Sequence, residues 1–407
     1  MSRELAILEK LEKELNLKQL QIKSLLTITQ AINDNVSSDG LYNMYKSFLS
    51  WEMEIDKMSL FIKDNETWRC ATTINGDKEE NNSLIPLILQ FKRLHTIKED
   101  EIEELVGFDI IIPVFHKEQP LAYAVIGGIK NKSDLYNRIQ FITTITNIIA
   151  VAIENKRLFN QQIEQERYKR EMQLASDVQK MLIPEELPST DTFALSKIYK
   201  PHFSIGGDYL DYIPFDNDRF AFCIADISGK GVAAALLMAN FQAIIQTLIY
   251  QYRDLETFIF ALNQAVYRIT KSDKYITFFI GEVDVKKKKL KYINSGHYPP
   301  VLVNKGELIR LKEGSTVIGA FEHLPEIKED VIDIDHGATI LSFTDGLTDL
   351  VNDKGEFFED NNIERFALSN WKKDPVDFND NLMAEINTFR GDQMYSDDIA
   401  VLTCKIY

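Results

Sequence analysis

One uninterrupted stretch limits the architecture of this chain more than any other feature. Residues 134–181 contain neither glycine nor proline, and residues 164–171 near their middle are almost all charged. Because proline and glycine are the usual helix breakers, the stretch predicts one long helix that ends before Pro184 and Pro188. We expect this helix to leave one domain and enter another, since 407 residues are enough for more than one core.

Charge and composition disfavour several classes of function. Acidic residues outnumber basic ones 62 to 46, so the net charge of −16 repels nucleic acids and anionic membranes. The three cysteines, Cys70, Cys223 and Cys404, are too far apart for a CxxC metal site and too few for a disulfide framework. No apolar stretch approaches the roughly 20 residues that cross a bilayer. We therefore expect a cytoplasmic protein without nucleic-acid binding or membrane insertion.

The regions on either side of the long stretch differ in pattern. Residues 4–26 predict an amphipathic helix with a possible partner helix, and strand-like runs at 58–63, 67–73 and 108–115 predict a small α/β domain. The second half is predicted to be α+β with antiparallel pairing, including a hairpin turn at 286–289. Its predicted strands are 220–225, 277–285, 339–343 and 399–406, and its predicted helices are 232–251 and 255–270.

Several aspartates of the second half stand where strands begin or end. Asp226 and Asp345 follow apolar strands, Asp397 and Asp398 precede one, and Asp208 and Asp211 follow a glycine pair. Each has an ordinary explanation when taken alone, because DG dipeptides favour turns, Asp211 suits a solvated position and Asp398 suits a turn. Carboxylates that converge repel one another unless they are protonated or bind a hard divalent cation. Their recurrence at strand ends favours a metal site.

Five motifs give these residues a family context. They are GGDYLD (206–211), ADISGKGVAAALLMA (225–239), NSGHYPP (294–300), SFTDGLTD (342–349) and SDDIAVL (396–402). In this order they resemble the metal-dependent PPM serine/threonine phosphatases, specifically the SpoIIE-like and RsbU-like branch. The resemblance implies an α/β/β/α sandwich with two Mn²⁺ or Mg²⁺ ions at one edge. The preceding segment ASDVQKMLIP (175–184) resembles that branch's entry helix, which helps to activate the phosphatase.

The resemblance also implies roles for individual residues. Asp226 matches the aspartate that bridges both metal ions, and the main-chain carbonyl of Ile227 is a further ligand. Asp208, Asp345 and Asp397 match the remaining catalytic and metal-binding aspartates. Asp398 is a candidate next to the ligands, and Asp211 is a weaker candidate.

The loop before the predicted helix 232–251 leaves two interpretations open. Gly229 and Gly231 either let the backbone approach a metal-bound phosphate or only permit a tight turn. Lys230 either neutralises phosphate or is solvated. His297 lies beside Pro299 and Pro300, so we expect packing in a turn and assign it no catalytic role.

The predicted function is hydrolysis of phosphoserine or phosphothreonine by a water that two metal ions activate. No cysteine is followed six residues later by arginine, and no GxxxxGK[ST] motif occurs, which disfavours cysteine-based phosphatases and P-loop enzymes. The resemblance implies a phosphorylated anti-sigma-factor antagonist, or a similar STAS-type protein, as substrate. The alternatives are a catalytically silent scaffold and a ligand sensor that acts by protein association.

The N-terminal half resembles a GAF sensor domain in the pattern and order of its elements, with a PAS-like domain as the nearest alternative. The predicted organisation is an N-terminal helix at 1–21, a GAF-like domain at 22–154, a linker helix at 155–184 and a phosphatase domain at 185–407. No feature selects a sensor ligand, and a purely dimerising domain also fits. A homodimer through helices is expected, in which Leu174, Val178 and Met181 contact the phosphatase either as a switch or as ordinary core packing.

Overall fold

The computed structural model of the chain describes residues 2–64, 67–98, 102–129, 135–202, 204–252 and 254–407. The side chains of residues 2–10, 13, 14 and 17 are outside this description. The chain divides into two compact units, Met1–Arg167 and Tyr168–Tyr407. Among the described residues, none of the helices is both long and apolar enough to span a membrane.

The first unit is built on a five-stranded antiparallel sheet. Its helices are α1 (Ser2–Asn33), α2 (Ser38–Ser47), α3 (Lys78–Asn81) and α4 (Ile85–Ile88). Its strands are β1 (Lys57–Asp64), β2 (Thr67–Ile74), β3 (His95–Thr96), β4 (Ile110–His116) and β5 (Gln119–Gly127), in the order β2-β1-β5-β4-β3. The strands predicted at 58–63, 67–73 and 108–115 are confirmed within two residues at each end. Helix α1 continues past the predicted end at residue 26.

One helix, α5 (Leu135–Lys180), begins in the first unit and ends in the second. It confirms the long helix predicted from the absence of glycine and proline, while residue 134 lies outside the described residues. The expected packing of Leu174, Val178 and Met181 in a core is wrong. Leu174, Val178 and Met181 are 66%, 61% and 81% exposed, whereas Ser176 and Gln179 are buried. The apolar stripe therefore faces away from the core of the second unit, and the polar side chains of Ser176 and Gln179 are the buried ones.

The second unit contains two sheets. Its strands are β6 (Phe193–Lys200), β7 (Tyr209–Pro214), β8 (Arg219–Ile227), β9 (Ile276–Asp284), β10 (Lys289–Ser295), β11 (Val301–Asn304), β12 (Glu307–Arg310), β13 (Gly314–Ser315), β14 (Asp330–Asp333), β15 (Thr339–Phe343) and β16 (Ile399–Ile406). Its helices after α5 are α6 (Val232–Leu248), α7 (Leu255–Thr270), α8 (Asp360–Asn370) and α9 (Pro375–Arg390). One sheet has the order β13-β10-β9-β8-β7, with β14 also paired to β10, and the other has the order β12-β11-β15-β16-β6.

These elements form four layers, because each sheet is apolar on both faces. Phe222, Phe279 and Leu402 belong to the core between the two sheets. Helices α6 and α7 cover the outer face of the six-stranded sheet, and α8 and α9 cover the outer face of the five-stranded sheet. The arrangement confirms the α/β/β/α sandwich and the antiparallel pairing expected from the sequence, including the β9–β10 hairpin.

The pairing of strands brings the aspartate-bearing ends together. Tyr209 at the start of β7 pairs with Ala225 near the end of β8, so Asp208 and Asp226 lie just beyond this pair. In the other sheet, Phe343 at the end of β15 pairs with Val401 near the start of β16. Asp345, Asp397 and Asp398 therefore lie at the corresponding end of the second sheet.

Candidate metal centre

Four aspartates, Asp208, Asp226, Asp345 and Asp397, form the group that we call the aspartate cluster. Their proximity is seen in their electrostatics. Burial, together with the charges of Asp345 and Asp397, raises the pKa of Asp226 to about 7. The pKa of Asp345 is also raised, by burial and by nearby carboxylates that include Asp397. Side chains from both sheets therefore share one acidic edge.

Asp208 is the most deeply buried member of the cluster. Burial raises the pKa of its carboxyl well above the ordinary value, and the charges of Asp226 and Asp398 act in the same direction. The Thr344 hydroxyl donates a hydrogen bond of 2.8 Å to Asp208 Oδ2 and opposes this shift. Thr344 thus links the two sheets at the site, a role that the sequence analysis missed because a threonine after a strand has no distinctive spacing.

Asp398 holds the backbone next to the cluster. Its Oδ1 accepts the backbone N–H of His202 at 2.7 Å, and its Oδ2 accepts that of Gly207 at 2.6 Å. A Cβ atom at Gly206 would lie 2.6 Å from Asp398 Oδ2, so a side chain at this position would displace the Asp398 carboxylate. Asp398 therefore organises the glycine pair that precedes Asp208.

Asp211 is not brought to the cluster. Its carboxylate accepts hydrogen bonds from the Tyr209 hydroxyl at 2.5 Å, from Gln246 Nε2 of α6 at 2.5 Å and from the backbone N–H of Tyr212 at 2.8 Å. Burial raises the pKa of Asp211, and these three donors lower it. The carboxylate is thus placed on the helix-covered face of β7.

Lys230 pairs with a member of the aspartate cluster. Its Nζ lies 2.8 Å from Asp397 Oδ2 and donates a hydrogen bond of 3.2 Å to the carbonyl of Ser396. The pair raises the pKa of Lys230, and its charge lowers the pKa of Asp226. The sequence left open whether Lys230 neutralises phosphate or is solvated, and this ion pair disagrees with a freely solvated lysine.

Gly229 and Gly231, on either side of Lys230, have backbone conformations that favour glycine. Their φ angles are +101° and +73°, in the region that side chains with a Cβ rarely adopt. A Cβ at Gly231 would meet no atom within 4 Å, so conformation rather than crowding requires glycine there. Helix α6 begins at the next residue, which agrees with the tight turn.

His297 is buried in the bend that follows β10, which confirms the packed position in a turn expected from the sequence. Its Nδ1 and the Thr277 hydroxyl are 2.9 Å apart, and its backbone N–H donates to Asn294 Oδ1 at 2.8 Å. Burial lowers the pKa of His297 to about 4, so its ring is neutral near pH 7. Thr277 is the cross-strand partner of Asp226, which places His297 one hydrogen bond away from a neighbour of the cluster.

The donor set fits a hard divalent cation in its chemistry. Asp208 is buried, Asp226 and Asp397 are half-buried, and Asp345 is exposed. Carboxylate oxygens are the ligands that hard divalent cations prefer, and a cation relieves the repulsion among them. The main-chain carbonyl of Ile227 also faces this region, since its oxygen lies 3.0 Å from the Cβ position of Gly207. Across the part of the chain that is described, however, no three His, Cys, Asp or Glu side chains already stand close enough to hold one ion.

The fold and this acidic edge define the C-terminal part as a PP2C-like phosphatase sandwich. The SiaA PP2C domain of Pseudomonas aeruginosa has the same fold, with a TM-score of 0.53 at 18% identity over 60% of this chain and 99% of that domain. The family model of stage II sporulation protein E (SpoIIE) matches residues 216–407. The C-terminal half of the chain is thus similar to the SpoIIE-type serine phosphatases.

Two curated proteins extend the likeness. Protein IcfG of Synechocystis sp. is 26% identical over 231 residues, which are 50% of this chain and 36% of IcfG. Phosphoserine phosphatase RsbP of Bacillus subtilis is 28% identical over 187 residues, which are 44% of this chain and 46% of RsbP. The chain thus spans less than half the length of these two relatives. Its C-terminal half is homologous to phosphoserine phosphatases.

Proposed function

We propose that the chain is a metal-dependent protein phosphatase that hydrolyses phosphoserine or phosphothreonine. The observation that carries this proposal is that strand pairing brings Asp208, Asp226, Asp345 and Asp397 from both sheets to one edge of the sandwich. The pKa values of Asp208, Asp226 and Asp345 are raised, and carboxylates with raised pKa values are typical of functional sites. Homology to phosphoserine phosphatases selects the reaction among those that such a site supports.

The aspartate cluster and the carbonyl of Ile227 would hold two divalent cations, Mn²⁺ or Mg²⁺. Cations bound there supply an activated water nucleophile and neutralise charge on the phosphoryl group. The remaining roles belong to the chain itself. Thr344 orients Asp208, Asp398 fixes the backbone before it, and Lys230 places a positive charge beside Asp397.

The substrate in this proposal is a phosphorylated signalling protein, of the anti-sigma-factor antagonist or STAS type. The chain's charge of −16 disfavours nucleic acids as substrates. Three buried cysteines without disulfide bonds fit a reducing cytoplasm.

Regulation by the N-terminal unit is the second part of the proposal. The antiparallel sheet with helices in this unit supports a GAF-like sensor. Exposed apolar side chains along α5, which include Leu158, Ile163, Leu174 and Val178, support a homodimer through this helix. A dimer of such helices transmits a change of packing from the sensor to the phosphatase.

The alternative is a catalytically silent scaffold. Mn²⁺-dependent hydrolysis of a phosphoserine protein separates the two. We expect turnover by the wild type and a loss of about 10³-fold or more in Asp226→Asn. Asp216→Asn, which changes an exposed aspartate paired with Arg219, is the matched control and should retain activity. A wild type that binds Mn²⁺ without turnover would favour the scaffold.

A further inference from the structure

Strand β6 lies at one edge of the five-stranded sheet, and only part of that edge is covered. The connection that follows α5 covers its beginning, where Leu195 donates its N–H to the carbonyl of Pro188 at 2.9 Å. Among the residues that the structure describes, no backbone group pairs with Lys197 or Tyr199 on this side. The second half of β6 therefore has a free edge.

The alternation of backbone groups along β6 shows which of them are free. In an antiparallel pair, alternate residues direct both N–H and C=O toward the neighbouring strand, and the residues between them direct theirs outward. Because Leu195 donates outward, Lys197 and Tyr199 of the same alternation also direct their backbone groups outward. A row of unpaired N–H and C=O groups is a template on which a further strand can pair.

A groove lies beside this free edge. Its volume is about 690 Å³, and it is lined by Lys180 and Pro184 at the end of α5 and by Lys197, Tyr199 and Pro201 of β6 and the residues just beyond. Lysine side chains often protect exposed strand edges. Here the Lys197 ammonium donates a hydrogen bond to the carbonyl of Pro184, so its side chain is tied to the connection after α5.

The free edge of β6 ends at the candidate metal centre. Lys200, the last residue of β6, pairs with Ile399, which is two residues after Asp397. The Tyr199 hydroxyl donates a hydrogen bond of 3.1 Å to the carbonyl of Asp208. A strand that pairs along β6 would therefore bring its next residues to the aspartate cluster.

We propose that this edge binds the protein substrate: an extended segment next to the phosphorylated residue pairs with β6 as a further strand, and the groove receives its side chains. The inference rests on the proposed function and describes how its substrate is held. Main-chain hydrogen bonds provide affinity in this mode of recognition, and the side chains in the groove provide selectivity. Lys180 and Lys197 outnumber Glu185, the one acidic residue of the groove, so acidic segments are favoured.

Two variants of one residue isolate the main-chain contact. Lys197→Pro removes the N–H that faces the free edge, where proline does not interrupt pairing with β16. Lys197→Ala loses the same side chain and keeps the N–H. The probe is a phosphoserine peptide with flanks that alternate threonine and glutamate, hydrolysed by the full chain with Mn²⁺.

KM for this peptide should be about 3- to 10-fold higher in Lys197→Pro than in Lys197→Ala, because one main-chain hydrogen bond is lost. The two variants should have equal kcat, since the bond is made in the ground state and the transition state alike. They should also have equal KM for p-nitrophenyl phosphate, which has no main chain to pair with β6.

N-methylation of the peptide gives a second measurement, on the wild type. Removing the peptide's N–H groups one at a time should raise KM at alternate positions of one flank and not at the positions between them. The reason is that only alternate residues of an added strand direct their backbone groups toward β6. This pattern is decisive if Lys197→Pro does not fold.

Equal KM values for the two folded Lys197 variants, or an N-methylation profile without alternation, would overturn the inference, while turnover of the peptide would leave the proposed function standing. A dimer that Lys197→Pro alone dissociates in sedimentation, at unchanged KM, would assign the edge to a second copy of the chain and also overturn the inference. A wild type that hydrolyses neither the peptide nor p-nitrophenyl phosphate with Mn²⁺ would overturn the proposed function and the inference with it.

Discussion

The alternating direction of side chains along β7 determines which of its neighbouring aspartates can contribute to the metal site. Successive side chains of a strand point to opposite faces, so Asp208 and Asp211, three residues apart, face opposite sides of the sheet. Asp208 faces the interior between the sheets and meets Thr344, whereas Asp211 faces α6 and meets Gln246. The three-residue spacing in GGDYLD therefore predicts that the two aspartates face opposite sides. Their closeness in the sequence had made both of them ligand candidates.

We predict that the two aspartates differ in what their amide variants lose. Asp208→Asn should weaken Mn²⁺ binding by 10-fold or more, because it removes a charge from the cluster. Asp211→Asn should leave Mn²⁺ binding within about twofold and lower the free energy of unfolding by about 1 kcal/mol, because the Tyr209 and Gln246 contacts are disturbed. Calorimetric titration and urea denaturation measure the two quantities. Equal losses of Mn²⁺ affinity would contradict this assignment.

The raised pKa of Asp226 predicts how stability depends on pH. The pKa of an aspartate is about 3.9 in an unfolded chain, whereas the pKa of Asp226 in the folded chain is about 7. Between about pH 3.9 and pH 7, the carboxyl of Asp226 is therefore protonated more in the folded state than in the unfolded state. The free energy of unfolding of the metal-free protein should therefore fall as pH rises from 5 to 8, by a few kcal/mol at most. Asp226→Asn should reduce this fall.

Urea denaturation in EDTA at pH 5, 6.5 and 8 measures the effect. Other groups also titrate in this range, so the decisive quantity is the difference between wild type and variant. Identical pH dependence in both proteins would show that Asp226 is ionised as easily in the folded chain as in the unfolded one. Added Mn²⁺ should restore stability to the wild type at pH 8.

At the scale of elements, the clearest sequence patterns predicted the bounds of helices and strands correctly. Helix α7 and strands β15 and β16 have the predicted bounds, because polar or glycine-containing turns delimit strongly apolar segments. Helix α5 follows from the absence of helix breakers. The contact face of α5 could not be predicted, since an apolar stripe of three side chains looks the same whether it faces a core or solvent. The hydrogen bonds of the Gln179 amide to both backbone groups of Gly206 depend on a residue 27 positions away.

The exposed stripe of α5 gives the element-scale prediction. Replacing Leu174, Val178 and Met181 together by glutamate should leave the free energy of unfolding of the monomer within about 0.5 kcal/mol, because all three are exposed. If the proposed homodimer forms through α5, the same variant should be monomeric where the wild type is dimeric. Sedimentation equilibrium at micromolar concentration distinguishes these states. A variant that remains dimeric would show that the dimer interface lies outside this stripe. A monomeric wild type would contradict the proposed homodimer.

At the scale of the whole molecule, the chain divides inside its longest helix. The second compact unit begins at Tyr168, so the last turns of α5 belong to this unit, whereas the domain start predicted from the sequence is residue 185, directly after Pro184. The prolines mark the end of the helix and not the limit of the core. Ile183 is buried in the core between the sheets, and Gln179 holds Gly206.

This division predicts different behaviour for two fragments. A fragment of residues 168–407 should unfold cooperatively and bind Mn²⁺, whereas a fragment of residues 185–407 loses Ile183 and Gln179. We expect the shorter fragment to be less stable by about 2–4 kcal/mol, from the lost apolar burial and the two unsatisfied backbone groups. Thermal denaturation of the two fragments measures this. Equal melting temperatures would contradict the inclusion of the α5 end in the phosphatase unit.

The central claim is that aspartates from two sheets meet around divalent cations at one edge of the sandwich. Anomalous diffraction from crystals soaked in Mn²⁺ tests it most directly, because the signal locates the metal without reference to activity. The account predicts two anomalous peaks within ligand distance of Asp226, with Asp208, Asp345 and Asp397 around them. Well-ordered aspartate side chains without an anomalous peak between them, at saturating Mn²⁺, would contradict it.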